Sequence, residues 1–438
     1  MADLRETHAT HMQVCKFGGG VIQTAQDIQK MADLLQVYRG QPLVIVVSAL
    51  AKTTQQLEAA FRQRSQRTLC QQTIAKICQW HRHVIADLFQ TRYEPVQQVL
   101  THMQAALQAM LGSGDSTTGS DQLYSRTVAW GEIIASRIIQ GYLATQSLDC
   151  VWIDARQCIK TQHGFRQGRL DWEATTQHIR THMVPGLKQN QWILTQGFIS
   201  SDAQGRTTTL GKEGSDFTGA ILAAILGAKS LTIWKDVPGI MNADPKLLAG
   251  AVMFERLSYS EMATMAAYGA QVIHPKTVDP LAAHGIPLYV KPWQDRYGQG
   301  TVIDHGDPQV HCPVYMLLAE QRWIRLSLPE PASPDAQYID RVQADLKAQE
   351  VPLHILSQAS SSLSLCLPNQ TEDIDTYIAQ TYPRLTKQIV QPVTLLTIMH
   401  HTGQLPETLV KGYKTLSEQP SKALYQAILQ PLGGGRRD

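Results

Sequence analysis

The chain has 438 residues, 43% of them hydrophobic, and a formal net charge of +2 at pH 7. That length allows two or three domains with apolar cores, and the small net charge offers no basic field for nucleic acid. Seven cysteines without a Cys-x-x-Cys pair favour reduced thiols in a cytoplasmic protein. The polar first dozen residues and the lack of an apolar run of roughly 18 residues argue against a signal peptide and a membrane span.

The first element is a short strand that runs into a glycine turn. Val14 to Phe17 predicts the strand, Gly18, Gly19 and Gly20 form the turn, and an apolar face from Ile28 to Tyr38 predicts the next helix. Lys16, at the end of the strand, can place its ammonium group against phosphoryl oxygens. This signal is weak when taken alone.

The next strand is a continuous apolar run, Leu43 to Ala49, of the kind that is buried in a parallel sheet. Ser48 would then lie at the carboxyl edge of the sheet, where ligands of open α/β folds bind. Neither common nucleotide fingerprint is present. The interval from Gly205 to Gly211 is one residue too long for a Walker A loop, and no strand is followed by Gly-x-Gly-x-x-Gly.

A helical stretch follows from Leu69 to Leu148, interrupted by the polar loop 112–119. Cys70 and Cys78 are expected to pack inside its helices. The segment His81-Arg82-His83 superficially suggests a metal site, but residues two apart on a helix point in different directions. We therefore expect these three side chains to face solvent.

The richest segment lies between residues 192 and 226. It predicts a strand from Trp192 to Ile199, a hairpin tip at 201–205, and a helix from about Phe217 that Ser215 or Asp216 would cap. A helix N-terminus behind glycines offers free N–H groups to an anion. An ordinary capped turn is the alternative interpretation.

A third charged turn follows the strand that begins at Leu231. The strand ends at Lys235-Asp236, and the chain turns at Pro238-Gly239 and again at Asp244-Pro245. These charges fit either a solvated surface loop or a contact with a nucleotide.

The C-terminal third has a different pattern. Strands at 323–328, 351–356 and 362–367 alternate with helices at 335–349 and 373–382, which is the βαββαβ order of ferredoxin-like modules. A second, partial module is predicted at 393–430. Residues 1–11 and 431–438 are expected to be a disordered leader and tail.

Together these segments resemble the aspartate kinases of the amino-acid kinase superfamily. The resemblance rests on the order of many short motifs: Lys16-Phe17-Gly18-Gly19, Val46-Val47-Ser48-Ala49, Gly131-Glu132, Gly197-Phe198-Ile199, Thr208-Thr209-Leu210-Gly211, Gly214-Ser215-Asp216, Asp236-Val237-Pro238-Gly239-Ile240, Ala243-Asp244-Pro245 and Val272-Ile273-His274-Pro275. It implies an α/β catalytic domain over 12–307, with a mainly parallel central sheet between helices. It also implies tandem C-terminal α+β ACT-like modules over 314–430 that bind amino-acid effectors and pair between chains as a homodimer or higher homo-oligomer.

The implied reaction transfers the γ-phosphoryl group of ATP, with Mg²⁺, to the β-carboxylate of L-aspartate. The resemblance assigns catalysis to Lys16 and Asp216, with Asp216 orienting Lys16 or engaging Mg²⁺ through water. No residue is assigned as a direct metal ligand. Aspartate contacts are assigned to Ser48, Glu132, Thr209, Lys212 and Ser215. Nucleotide contacts are assigned to Gly18, Gly19, Gly20, Lys235, Asp236, Asn242 and Lys246. Glu132 has an alternative interpretation as a residue that starts a helix.

Some positions depart from the family pattern. Gly20-Val21 replaces Thr-Ser in the phosphate turn, Lys212 replaces an arginine that grips the aspartate α-carboxylate, and Gln271 replaces a frequent lysine. The turn from Pro329 to Asp335, where ACT modules hold their effector, contains three prolines and no glycine, so the effector clasp is expected to be poor and residues 314–430 are expected chiefly to build a dimer interface. The altered phosphate turn and Lys212 leave two other functions open: a kinase of the same superfamily that acts on glutamate, carbamate or a nucleotide, and a catalytically weak effector-binding module.

Overall fold

The computed structural model of the chain describes residues 12–90, 93–112, 119–270, 272–307, 310, 312–329, 335–348, 353–369, 372–400, 405–419 and 424–432. The predicted leader, residues 433–438 of the predicted tail, Gln271, most of the loop at 112–119 and the centre of the turn at 329–335 lie outside these ranges. The described residues form two compact units. One is drawn from 1–240, 254–263 and 272–308, and the other from 241–253, 264–271 and 309–438.

Strands and helices alternate up to residue 307. The strands are β1 (Gln13–Phe17), β2 (Leu43–Val47), β3 (Cys150–Ile153), β4 (Thr161–Gln162), β5 (Arg169–Leu170), β6 (Trp192–Gln196), β7 (Ile199–Ser201), β8 (Thr207–Thr209), β9 (Ser230–Lys235), β10 (Arg256–Ser258), β11 (Leu288–Pro292) and β12 (Thr301–Asp304). The helices are α1 (Ala25–Leu35), α2 (Thr53–Arg62), α3 (Arg67–Phe89), α4 (Glu94–Gly112), α5 (Ser120–Thr145), α6 (Ala155–Cys158), α7 (Trp172–His182), α8 (Val184–Lys188), α9 (Gly214–Leu226), α10 (Tyr259–Ala267) and α11 (Pro275–His284).

The central sheet has eight strands in the order β10-β12-β11-β9-β1-β2-β6-β3. Every neighbouring pair is parallel except β11 and β12. All five residues of β2 are buried, as expected for a strand covered on both faces. The carboxyl ends of β1, β2 and β6 are tied together, because Ser48 N–H donates to the Phe17 carbonyl and Gly197 N–H donates to the Val47 carbonyl. This edge carries the predicted site residues.

The segment predicted as one strand from Trp192 to Ile199 is two strands. Phe198 has a positive φ of 68°, so the chain turns sharply between β6 and β7. Strand β7 then pairs with β8 as the predicted hairpin. A single continuous strand was therefore wrong, and the turn between its halves lies at the carboxyl edge of the central sheet.

The helical stretch forms three long helices, α3, α4 and α5, around a shared apolar core. Cys70 and Cys78 are buried in it, as predicted. The expectation that the segment from His81 to His83 faces solvent was wrong for His81, which is fully buried, whereas Arg82 and His83 are exposed. The helix turns His81 inward with Cys78 and Ile85, because residues three and four apart share a face.

The C-terminal part contains β13 (Val314–Ser327), α12 (Ala336–Ala348), β14 (His354–Ala359), β15 (Ser362–Pro368), α13 (Glu372–Thr381), β16 (Thr386–Met399), α14 (Glu407–Val410), β17 (Tyr413–Gln419) and β18 (Leu424–Pro431). Its strands form one antiparallel sheet in the order β14-β15-β13-β16-β18-β17. The run from β13 to β16 follows the predicted βαββαβ order. The α/β fold class with a C-terminal α+β region is thus confirmed, while the exact domain limits stay a prediction.

Within the described ranges, no helix combines the length and the apolar character that crossing a bilayer requires.

We predict that His81 makes the protein acid-sensitive. Its Nδ1–H donates to the Ile77 carbonyl at 2.8 Å, and burial lowers its pKa to about 4 from an ordinary 6.5. Between these values the unfolded chain binds a proton that the folded chain does not. Stability is therefore lost as the pH falls, by up to about 3 kcal/mol.

The measurement is the melting temperature between pH 7.5 and pH 4.5 for the parent protein and for His81→Phe, which fills a similar volume without a titratable group. On acidification, the melting temperature of His81→Phe should fall less than that of the parent protein. An equal loss in both proteins would contradict the prediction.

Candidate functional site

Two lysines share one buried carboxylate at the carboxyl edge of the central sheet. Lys16 Nζ lies 2.5 Å from Asp216 Oδ1, and Lys235 Nζ lies 3.0 Å from Asp216 Oδ2. Lys16 is on β1, Lys235 ends the adjacent parallel strand β9, and Asp216 is in the first turn of α9. Helix α9 approaches these strands closely because Gly219 has no side chain. A Cβ placed there would lie 3.1 Å from Leu231 Cδ1.

The charges of this cluster stabilise one another. Burial opposes the ionisation of Asp216, but the ammonium groups of Lys16 and Lys235 outweigh it and hold the pKa of Asp216 well below its usual range. Burial likewise favours a neutral Lys235, yet Asp216 and Glu213 raise the pKa of Lys235 above its ordinary value. Asp216 is thus ionised and Lys235 is protonated at neutral pH.

The glycine turn lies directly beside Lys16. A Cβ on Gly18 would stand 3.0 Å from Lys16 Nζ, and one on Gly19 would stand 2.5 Å from the Ala49 carbonyl oxygen. Gly19 therefore admits no side chain without a backbone shift. A Cβ on Gly20 would meet nothing closer than Asp236 Oδ2, at 3.9 Å. The turn brings backbone, an ammonium group and an exposed carboxylate to one place.

Glu132 is a buried acid with one free oxygen. Its Oε1 accepts a hydrogen bond from Ala49 N–H at 3.3 Å, while Oε2 has no partner among the described residues. Burial raises its pKa to about 8. The alternative reading of Glu132 as a residue that starts a helix was wrong, because α5 begins at Ser120 and Glu132 lies near its middle. An unpaired buried carboxyl group favours a cationic ligand.

The other predicted aspartate contacts differ in availability. Ser48 and Ser215 are half-buried and Lys212 is exposed. Thr209 is fully buried, and its hydroxyl donates to the Arg166 carbonyl at 2.6 Å. That hydroxyl retains only acceptor capacity for a ligand.

The start of α9 differs from the prediction. Neither Ser215 nor Asp216 caps the helix. It begins at Gly214, and Glu213 occupies the N-cap position without a capping hydrogen bond. The reason is that the Asp216 side chain faces the two ammonium groups rather than backbone N–H groups.

Glu213 itself adopts a left-handed backbone conformation, with φ 56° and ψ 23°. This conformation costs a residue with a side chain about 1–2 kcal/mol. Its Oε2 lies 3.7 Å from Lys235 Nζ.

Sequence reasoning missed Lys276, which lies next to the loop before α9. Its Nζ donates to the Leu210 carbonyl at 2.8 Å, and burial lowers its pKa despite the charge of Glu213. Burial first, then the charges of Lys276 and Lys212, lower the pKa of His274. The available signal was its place directly after the His274-Pro275 motif.

The predicted nucleotide contacts fall in both compact units. Lys235 and Asp236 belong to the first, and Asp236 is exposed. Asn242 and Lys246 belong to the second. There the Asn242 side chain donates to the Pro313 carbonyl and accepts from Val252 N–H. Lys246 is exposed.

Comparison of the chain with known proteins identifies the family to which it belongs. The profile of the amino acid kinase family matches residues 11–292. Lysine-sensitive aspartokinase 3 of Escherichia coli K12 is 29% identical over 314 residues, which are 70% of this chain and 67% of that protein. The aspartokinase of Chlamydia muridarum is 30% identical over 66% of this chain and 63% of its own length.

Other relatives are longer, so the chain spans about a third of them. A bifunctional aspartokinase/homoserine dehydrogenase of Arabidopsis thaliana is 29% identical over 69% of this chain but 34% of its own length. Among solved structures, E. coli aspartokinase III in complex with aspartate and ADP matches with a TM-score of 0.80 over 96% of both chains, at 23% identity, which shows a common fold. This chain belongs to the amino acid kinase family, and within that family it is similar to the aspartokinases.

Proposed function

We propose that this protein is an aspartate kinase, which transfers the γ-phosphoryl group of ATP to the β-carboxylate of L-aspartate and yields 4-phospho-L-aspartate and ADP. The observation that carries the proposal is the Lys16–Asp216–Lys235 cluster beside the glycine turn. This cluster holds two ammonium groups in place at a sheet edge where anions can approach. The similarity to aspartokinases, one of them solved with aspartate and ADP, supports the choice of substrates.

The chemistry fits residues of this kind. A carboxylate is already a nucleophile, so the reaction needs no general base, and the protein has to hold two anions together and spread the charge of the transition state. Lys16 and Lys235 would neutralise the phosphoryl oxygens, while backbone N–H groups of the 18–20 turn would bind the phosphate chain. Of the two roles considered for Asp216, its contacts support the orientation of Lys16.

For the aspartate subsite, we propose that Glu132 pairs with the substrate ammonium group through its free Oε2. Lys212 would meet the α-carboxylate as a point charge, since lysine lacks the planar fork of arginine. Ser48, Ser215 and Thr209 would add hydrogen bonds. Because Lys212 is exposed, it has room to move toward a bound carboxylate.

Mg²⁺, when bound with ATP, supplies further charge neutralisation on the β- and γ-phosphates. Both oxygens of Asp216 face ammonium groups, and the described residues contain no group of three or more metal-binding side chains. We therefore propose that the nucleotide itself carries the ion. Asp236, next to the glycine turn, would contact it through water.

The remaining assignments rest on the family resemblance. We propose that Asn242 and Lys246 contribute to nucleotide binding, and that residues 314–430 act as an ACT-like region for pairing between chains and for an amino-acid effector. A cytoplasmic location is proposed with them.

Substrate choice is tested by trapping acyl phosphates with hydroxylamine. With ATP and Mg²⁺, the protein should form a hydroxamate from L-aspartate and much less from glutamate, because the buried Glu132 would fix the substrate ammonium group at a distance from the glycine turn that suits one chain length. Equal turnover of glutamate or carbamate would favour another kinase of the family. ATP binding without any turnover would favour an effector-binding module.

Replacement of Lys16 by methionine should lower turnover by roughly 100-fold or more, as expected for the loss of one preorganised charge. The stem is retained, so folding can be verified by an unchanged circular dichroism spectrum. Steady-state rates at saturating ATP and aspartate provide the measurement. A folded variant with near-normal turnover would rule out this role.

Glu132 predicts the pH dependence of aspartate binding. Its carboxyl group is protonated in the free enzyme below about pH 8, and only the ionised form attracts an ammonium group. The KM for aspartate should therefore fall as the pH rises from 6.5 through 8, while the KM for ATP stays nearly constant. In Glu132→Gln, the KM for aspartate should rise at least about 30-fold and lose this pH dependence. A pH profile that survives the substitution would point to a different group.

A further inference from the structure

Glu213 stands in a backbone conformation that a glycine would adopt at no cost. Its φ of 56° follows Gly211, at φ 73°, in the loop that leads into α9. No capping bond compensates the strain. Strain of this kind persists where the surrounding structure fixes it, and it gathers at functional sites. The contacts of the Glu213 side chain therefore have to account for a non-glycine residue at this position.

The Glu213 carboxylate reaches the Lys235 ammonium group, at 3.7 Å. That ammonium group has two other partners, Asp216 Oδ2 and the Val272 carbonyl. Glu213 is 31% exposed at its side chain, whereas Asp216 is fully buried. Lys235 thus lies between a fully buried carboxylate and a partly exposed one.

The balance of charge depends on Glu213. Two ammonium groups, those of Lys16 and Lys235, face two carboxyl groups, those of Asp216 and Glu213. Burial raises the pKa of the Glu213 carboxyl group, and the Lys235 ammonium group partly offsets that rise. In its ionised form Glu213 balances the second ammonium group of the cluster. Without the Glu213 carboxylate, the positive charge of the Lys235 ammonium group would be less fully compensated. It would then attract any phosphate group, whether or not that group is being transferred.

We propose that Glu213 is a positioning residue for phosphoryl transfer: its carboxylate holds the Lys235 ammonium group beside Asp216 and restrains it from binding ground-state nucleotide too tightly. Interactions that bind substrate and transition state equally do not accelerate the chemical step. A lysine restrained in this way stabilises the transition state more than it stabilises the bound nucleotide. The inference rests on the proposed kinase function and adds a residue to it.

The test compares Glu213→Gln, which keeps the shape and the strain but removes the charge, with the parent protein. The turnover number should fall roughly 5-fold, within the usual range for coupled neighbours, while MgADP should bind about 3-fold more tightly because a repelling carboxylate is gone. MgADP affinity is measured by calorimetry. A merely structural defect would weaken binding and catalysis together.

Two further variants sharpen the result. Glu213→Gly should show the same kinetic changes with a melting temperature equal to or above that of the parent, since the strain is removed. Gln90→Gly is the matched control, because Gln90 also has a left-handed backbone, at φ 53°, but is exposed at the end of α3. It should raise the melting temperature and leave both turnover and MgADP affinity unchanged.

A double variant tests whether Glu213 acts through Lys235. On a Lys235→Met background, Glu213→Gln should have no further effect on turnover or on MgADP affinity. Full effects on that background, or parent-like kinetics in Glu213→Gln, would overturn the proposal. Because the MgADP measurement needs no turnover, it still tests Glu213 if the parent protein fails to phosphorylate aspartate, which would refute only the proposed function.

Discussion

The sharing of Asp216 by Lys16 and Lys235 is the interaction on which the rest of the catalytic unit depends. A fully buried carboxylate without partners would cost several kcal/mol, so both ammonium groups have to be in place when the fold forms. They come from neighbouring parallel strands, and the carboxylate comes from the helix that packs over those strands. The cluster therefore fixes β1, β9 and α9 relative to one another. It also places two ammonium groups at the carboxyl edge of the sheet, where the proposed phosphate site lies.

The other parts of the site are arranged around that cluster by close packing. Gly19 and Gly131 both approach Ala49, the residue after Ser48, at distances that leave no room for larger side chains. Gly197 lies so close to Ser215 that a Cβ would stand 2.5 Å from the serine Cβ. Through these approaches the glycine turn, the buried Glu132 and the start of α9 are held at the ends of adjacent strands. Small residues thus set the spacing between the glycine turn and the buried Glu132 carboxyl group.

Much of this organisation could be predicted from the sequence, and the exceptions have physical causes. Apolar runs located β1, β2 and β9, and helical periodicity located α1 and the long helices, because burial follows those periods directly. The cap of α9 was predicted wrongly because Asp216 serves tertiary ion pairs, which propensity rules do not include. His81 was expected to be exposed because only its local spacing was considered. The contacts of Glu213 and Lys276 involve residues that are distant in the sequence, so no local sequence pattern predicts them.

In the C-terminal sheet, the two strands of 14 residues, β13 and β16, pair along nearly their whole length. The C-terminal half of β13, from Gln321 to Ser327, also pairs with β15. The C-terminal half of β16, from Thr394 to Met399, pairs with β18. Each long strand therefore belongs to both ferredoxin-like halves. A chain cut in the connection before β16 would strip β13 of a full row of hydrogen-bond partners and expose a long strand edge prone to aggregation. The β13–β16 hydrogen bonds thus tie the two halves together, and we expect a truncation that separates these two strands to destabilise both halves.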